Sequence, residues 1–248
     1  MTAAAAPTPA PALSVHRLVR RYGGNAAVDG VDLEAESHRI TALIGPNGAG
    51  KTTLFHCVAG IEPADAGRVA LAGADVSRLA PHRRVRAGLA WTFQRIEVFP
   101  TMTVADNLRV GADRRRRPGP ALADLLERLG LDRVGDRQVA RLPAGTLRLV
   151  ELGRALATAP RVLLLDEPAS GLDDAQTGAL ARLLPRLAAD GMAIVLVEHD
   201  MKLVTRIADR VYAMDRGRVV GRGTVDEVRD DPAVRALFPD GSLDRPNS

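Results

Sequence analysis

The run Gly45-Pro46-Asn47-Gly48-Ala49-Gly50-Lys51-Thr52-Thr53 fits the pattern G-x-x-x-x-G-K-[ST] of a phosphate-binding loop. Gly45, Gly48 and Gly50 let the backbone curl so that successive N–H groups face anionic oxygens. Lys51 adds a point charge for β- and γ-phosphates, and Thr52 offers a hydroxyl to Mg²⁺. Further along, Val162-Leu163-Leu164-Leu165 ends in Asp166-Glu167. Such a buried strand tipped by two carboxylates can hold a metal near Asp166 and polarise an attacking water with Glu167. Gln94 and His199 each follow another apolar run. The chemistry these residue types share is the binding of a nucleoside triphosphate with Mg²⁺ and attack on its phosphate.

Positioning that chemistry requires a set of buried strands. Ile40-Thr41-Ala42-Leu43-Ile44 precedes the loop, and Ala193-Ile194-Val195-Leu196-Val197 precedes Glu198-His199-Asp200. Continuous apolar runs of this length suit strands covered on both faces. A histidine at the carboxyl end of such a strand lies where open parallel sheets place their ligands. Helical periodicity follows the loop over Thr52 to Ala59, with Gly60 as its stop, and recurs at Leu122, Leu125, Leu126 and Leu129, over Leu147 to Ala157, and over Ala175 to Ala188. Pro185 predicts a kink or an end in the last of these. Leu13 to Tyr22 and Val28 to Glu34 read as strands around Gly23-Gly24, Arg68 to Leu71 as a third, and Arg210 to Asp215 with Arg218 to Gly221 as a closing pair. The expected fold class is therefore α/β, a mostly parallel sheet core of the P-loop type with an antiparallel β subdomain. A mostly helical subdomain is inserted over about residues 76–141, the whole domain spanning 13–238.

Two features carry alternative readings. Tyr22, at the first turn, offers either a platform for a flat base or an ordinary half-exposed ring. The loop after Gln94 is unusually apolar: Ile96, Val98, Phe99 and Met102 either form a binding surface or tuck into a core.

Composition removes several function classes. The net charge is +4, and no basic stretch interleaves with aromatics, which argues against nucleic acid as a partner. Arg114 to Arg117 reads as a solvated run, or as one that meets anionic lipid. Cys57 is the only cysteine, so no intramolecular disulfide forms. No segment approaches the roughly 20 apolar residues needed to span a bilayer. Residues 1–12, rich in Ala, Pro and Thr, are expected to be a disordered tail rather than a signal peptide, and 239–248 a loose end.

Taken in order, the P-loop, Gln94, Leu142-Pro143-Ala144-Gly145, Asp166-Glu167, Ser170-Gly171-Leu172-Asp173 and His199 resemble the ATPase subunit of an ATP-binding cassette (ABC) transporter. Trp91-Thr92-Phe93-Gln94, Met102-Thr103-Val104-Ala105-Asp106-Asn107-Leu108, Val197-Glu198-His199-Asp200-Met201 and Gly223-Thr224-Val225-Asp226-Glu227-Val228 are similar to the branched-chain amino-acid importer type. The resemblance implies a subunit that binds ATP and Mg²⁺, hydrolyses ATP, and energises separate permeases from the cytoplasmic face of the membrane. Tyr22 would stack on adenine, and Gly45 to Thr53 would wrap the triphosphate. Lys51 would bind the β/γ-phosphates, and Thr52, Gln94 and Asp166 would attend the metal. Glu167 would act as general base, with His199 on the γ-phosphate. Asp173 would lie at the interface with a second ATPase subunit. Leu142, Pro143, Ala144 and Gly145 would cap the ATP held by that second subunit. Ile96, Val98, Phe99 and Met102 would meet the permeases, and an extracytoplasmic solute-binding protein would act indirectly. An exporter ATPase of the lipopolysaccharide-transport type and a soluble, non-transport ABC ATPase are the alternatives.

The family's usual signature, Leu-Ser-Gly-Gly-Gln, reads here Leu142-Pro143-Ala144-Gly145-Thr146. Pro143 replaces a hydroxyl and removes an N–H, and Ala144 replaces a glycine, which weakens the contact lent to the partner's site. The stretch between Gly111 and Arg141 is also shorter than the resemblance implies.

Overall fold

The computed structural model describes residues 10–113 and 119–238. Strands β1 (Leu13–Tyr22) and β2 (Asn25–Ala35) form a hairpin, followed by β3 (Ile40–Ile44), helix α1 (Lys51–Ala59), β4 (Ala66–Leu71) and β5 (Ala74–Asp75). Helix α2 (Pro81–Arg86) leads into β6 (Leu89–Trp91), and α3 (Val104–Ala112), α4 (Leu122–Arg128) and α5 (Ala144–Ala157) precede β7 (Val162–Asp166). The remainder is α6 (Asp174–Ala189), β8 (Ala193–Val197), α7 (Met201–Ile207), the hairpin β9 (Arg210–Asp215) and β10 (Arg218–Gly223), α8 (Val225–Asp230) and α9 (Pro232–Arg235).

The strands make two sheets: an antiparallel one ordered β2-β1-β4-β5, and a larger one ordered β10-β9-β3-β8-β7-β6. In the larger sheet β9, β3, β8, β7 and β6 run parallel, and only the edge strand β10 runs against them. Every residue of β3, β7 and β8 is buried, which is why these strands are apolar apart from Thr41 and Asp166 rather than alternating. Helix α1 sits between the sheets: Leu54, Phe55 and Val58 pack in one cluster with Val15 and Leu33 of the smaller sheet and Leu43 and Leu164 of the larger. The opposite face of the larger sheet is covered by Leu108 of α3, Val150 and Leu156 of α5, and Leu184 of α6. Cys57 lies in the α1 core, where burial pushes its thiol up to about 11, as suits a structural thiol.

Some sequence expectations change. Helix α6 does not end at Pro185 but continues to Ala189. Leu183, Leu184, Leu187 and Ala188 on either side of the proline are buried, and that apolar burial outweighs the missing N–H bond. The strand Leu89–Trp91 falls inside 76–141 yet belongs to the main sheet, so the packed helices run from Val104 to Ala157. Ala12 is buried, and its carbonyl accepts from the Ala72 N–H at 2.9 Å. Residues 1–9, the Arg114–Arg117 run and 239–248 lie outside the described residues.

Candidate ATP site

The order β3-β8-β7-β6 puts four motif-bearing strand ends side by side. At their carboxyl ends begin the P-loop, Glu198-His199, Asp166-Glu167 and Phe93-Gln94. A set of residues scattered over more than a hundred positions thus converges because the strands that deliver them are neighbours.

The P-loop is held by close backbone approach. At Gly45 (φ 150°) a Cβ would lie 2.2 Å from the Met214 carbonyl oxygen, and at Gly50 (φ 99°) one would lie 2.0 Å from that of Ala27. No side chain fits at either place, and the backbone curls tightly enough to surround an anion. Gly50 occupies the N-cap of α1, so the positive end of that helix faces the loop. The buried Lys51 Nζ donates to the carbonyls of Gly45 at 2.8 Å and Pro46 at 2.9 Å. Burial lowers its pKa, and Glu167 and Asp166 oppose that shift from nearby.

Asp166 is 3% exposed, and burial raises its pKa while a hydrogen bond with Thr52 works the other way. Its Oδ1 is buried with no partner among the described residues. An orphaned carboxylate oxygen beside a threonine hydroxyl is a hard oxygen donor set, so Thr52 and Asp166 fit Mg²⁺. Glu167 follows in a left-handed conformation (φ 49°), rare for a residue with a side chain. Its Oε1 takes two contacts at once: Gln94 Nε2 donates at 3.3 Å, and His199 Nε2 lies at 3.0 Å. The structure therefore brings Gln94, Glu167 and His199 together, with Lys51, Thr52 and Asp166 beside them.

The other expected site residues lie apart from that cluster. Tyr22 is exposed, with the Arg20 guanidinium 4.7 Å over its ring and its hydroxyl bonded to Glu62. Leu142, Pro143, Ala144 and Gly145 lead into α5, where a Cβ on Gly145 would meet the Gln176 side chain of α6 at 2.3 Å. In the apolar loop the alternatives split: Phe99 and Met102 are exposed, whereas Ile96 is half-buried and Val98 packs against the α3–α5–α6 core. Trp91, Phe93, Phe99, Val110 and Arg154 line a groove of about 280 Å³ beside this loop.

Several residues that position the site were not anticipated. Arg148 and Glu151 of α5 are buried and hold the backbone on both sides of Gln94. Arg148 donates to the carbonyls of Phe93 at 2.8 Å and Gln94 at 2.9 Å, and Glu151 accepts from the N–H groups of Phe93 and Glu97 at 3.3 Å. Arg154 donates to the Glu97 carbonyl and lies 5.2 Å over the Phe99 ring. Buried Asn107 exchanges hydrogen bonds with the backbone of Phe99. Glu198, also buried, ties the turn after Glu167 to the backbone of His199.

A family model described as ABC transporter matches residues 28–170, more than half of the chain. The chain belongs to the ABC transporter ATP-binding family. It is the ATP-binding, ATP-hydrolysing type of subunit, with the P-loop NTPase fold. The chain is 36% identical to the high-affinity branched-chain amino acid transport ATP-binding protein BraF of Pseudomonas aeruginosa, and 38% identical to LivG of Escherichia coli (strain K12), over 90% of this chain and 96% of each relative. It is also 40% identical to the sulfate/thiosulfate import ATP-binding protein CysA of Nocardia farcinica, over 89% of this chain but 67% of that protein. Among solved structures, a nucleotide-free ATP-binding cassette from an ABC transporter superposes with a TM-score of 0.83 at 28% identity, covering 92% of this chain and 98% of that one. The ADP conformation of MJ1267, another such cassette, gives 0.82 at 29% identity, with the same coverage.

Proposed function

We propose that this ATPase energises an importer of branched-chain or related hydrophobic amino acids. What carries the reading is the near-complete alignment with BraF and LivG, 96% of their lengths, over a chain whose phosphate and water-handling residues sit in one site. The higher identity to CysA favours a sulfate-type importer as the second reading, but this chain spans only 67% of that relative. The subunit works at the cytoplasmic face as a pair of ATPases beneath two permeases. Among the described residues no helix is long and apolar enough to cross a membrane, in keeping with a peripheral place.

In each site Gly45 to Thr53 wraps the triphosphate and Lys51 exchanges its loop carbonyls for β/γ-phosphate oxygens. Thr52, Asp166 and Gln94 attend Mg²⁺, which when bound neutralises charge on the phosphate oxygens. Glu167 takes a proton from the attacking water, His199 fixes its geometry from one side, and Gln94 fixes it from the other. Tyr22 stacks on adenine once Arg20 yields that face. Leu142 to Gly145 caps the partner's ATP, and Asp173 lies at the interface. The groove beside Phe99, together with Ile96, Val98 and Met102, receives a permease element, and the solute-binding protein acts through the permeases.

The test is leucine and sulfate uptake by cells expressing the chain with the permease subunits that copurify with it, comparing wild type with Glu167→Gln. Leucine uptake is expected in the wild type. The variant should lose uptake and about 10²–10⁴-fold in ATP turnover while accumulating an ATP-bound dimer. Uptake of sulfate instead would move the solute assignment to the second reading, and sustained hydrolysis by the variant would remove Glu167 from the role of base.

A further inference from the structure

Glu167 departs from the strand it ends. Its left-handed backbone, φ 49°, aims the carboxylate away from the line of β7, and something must hold a non-glycine residue there. Part of the hold comes from the neighbouring strand: the Glu167 N–H donates to the Val197 carbonyl at 2.9 Å. The turn then closes with the Ser170 N–H on the Glu167 carbonyl at 3.1 Å. A further hold comes from one buried side chain. Glu198 is 4% exposed, and its Oε1 accepts from the Ala169 N–H at 2.9 Å. Its Oε2 accepts from the N–H groups of His199 at 3.1 Å and Asp200 at 3.5 Å. One buried carboxylate therefore bridges the turn that displays Glu167 and the peptide that displays His199, directly behind the 3.0 Å contact between Glu167 Oε1 and His199 Nε2.

We infer that Glu198 is a positioning residue for hydrolysis, setting the distance between Glu167 and His199 without touching nucleotide. This rests on the reading of Glu167 and His199 given above. A carboxylate suits the place because every partner is a backbone donor and both oxygens are used. An amide in the same shape turns one oxygen into a donor and leaves one of the two loops unheld. Loss of one such charge-assisted bond is expected to lower the rate on the order of 10- to 100-fold.

The experiment measures kcat, KM and ATP affinity of the full-length chain, with thermal midpoints, for Glu198→Gln, Glu198→Ala and Glu167→Gln. Glu198→Gln should lose about tenfold or more in kcat while KM and ATP affinity stay near wild type and the midpoint falls by a few degrees only, and Glu198→Ala should lose more. If Glu198→Ala fails to fold, the isosteric variant decides. The inference is overturned if Glu198→Gln keeps a wild-type kcat, or if kcat falls only in step with ATP affinity and thermal midpoint, which is what a merely structural role would give. Glu167→Gln separates the two levels. If it stays active, the underlying reading fails; if it is inactive while the Glu198 variants turn over normally, only the positioning role fails.

Discussion

Arg148→Met tests how the loop carrying Gln94 is held. Arg148 and Glu151 face each other at 3.3 Å on α5 with side chains 6% and 1% exposed, and both also bind the Phe93–Glu97 backbone. Removing the guanidinium leaves a carboxylate buried with two long N–H bonds and no ion-pair partner in contact, Arg154 being the cation that still acts on it. Breaking a buried pair in this way costs about 3–5 kcal/mol. At roughly 2–4 °C per kcal/mol for a chain of this size, the thermal midpoint should fall by about 6–20 °C. The sign of the pH dependence follows from burial, which already raises the Glu151 pKa above its ordinary value. The folded state then holds this proton more tightly than the unfolded chain. Stability from this group is therefore full below the ordinary carboxylate range and declines as pH rises through the folded value. Without Arg148 that folded value climbs further, so the deficit of the variant should grow from mildly acidic to mildly alkaline pH. The assay is calorimetric unfolding of wild type, Arg148→Met, Glu151→Leu and the double variant at both pH values. The double variant should recover about 1–3 kcal/mol relative to the sum of the singles. Additive losses, or a deficit that does not change with pH, would refute the buried pair as the clamp.

Two further substitutions probe the frame around the P-loop. Buried Arg84 donates to the carbonyls of Cys57 and Val58 at 2.7 Å, Ser77 at 2.8 Å and Leu79 at 3.0 Å, closing the far end of α1; Arg84→Met should cost about 2–4 kcal/mol, read as a lower thermal midpoint, with ATP affinity below that midpoint unchanged. Gly50→Ala would press a Cβ against the Ala27 carbonyl at a φ of 99°, so ATP binding measured by titration should be lost; binding at wild-type affinity would show that the loop does not need this approach.

The parts of the site that could be read from sequence are those encoded locally. An apolar run followed by a glycine-rich loop, by Asp166-Glu167 or by His199 names both the strand and what it delivers, and each such strand is buried along its whole length. The order β3-β8-β7-β6 is not local, yet motifs that must share one nucleotide imply that the strands converge. Arg148 and Glu151 were illegible for the opposite reason. Charges three apart in an amphipathic helix ordinarily face water, and these are buried only because residues 93–97, more than fifty positions earlier, fold over them. Glu198 is just as illegible beside its histidine neighbour, since nothing in a single sequence distinguishes a buried carboxylate at a strand end from an exposed one. The apolar loop divides by the same logic: Val98 finds a core through α3 and α5, while Phe99 is held outward by Asn107 and covered on one side by Arg154.

The departure in the signature also acquires a physical reading. Pro143 occupies the N-cap of α5 with extended backbone (φ −58°, ψ 152°), and no side chain caps the helix there. The first intrahelical bond runs from the Leu147 N–H to the Pro143 carbonyl at 3.0 Å, so the N–H groups of Ala144, Gly145 and Thr146 precede it. A serine at the N-cap would place its hydroxyl where it serves either its own helix or a phosphate, and proline removes both possibilities. What remains is the positive end of a 14-residue helix with its leading donors uncapped, the arrangement that binds anions without any side chain. Behind it, Gly145 abuts Gln176, which closes the capping box with Asp173 at the start of α6. On the proposed reading, the partner's ATP loses a hydroxyl and the N–H of position 143, each on the order of 1.5–3 kcal/mol, while the N–H groups of Ala144, Gly145 and Thr146 survive because α6 supports the helix start from behind.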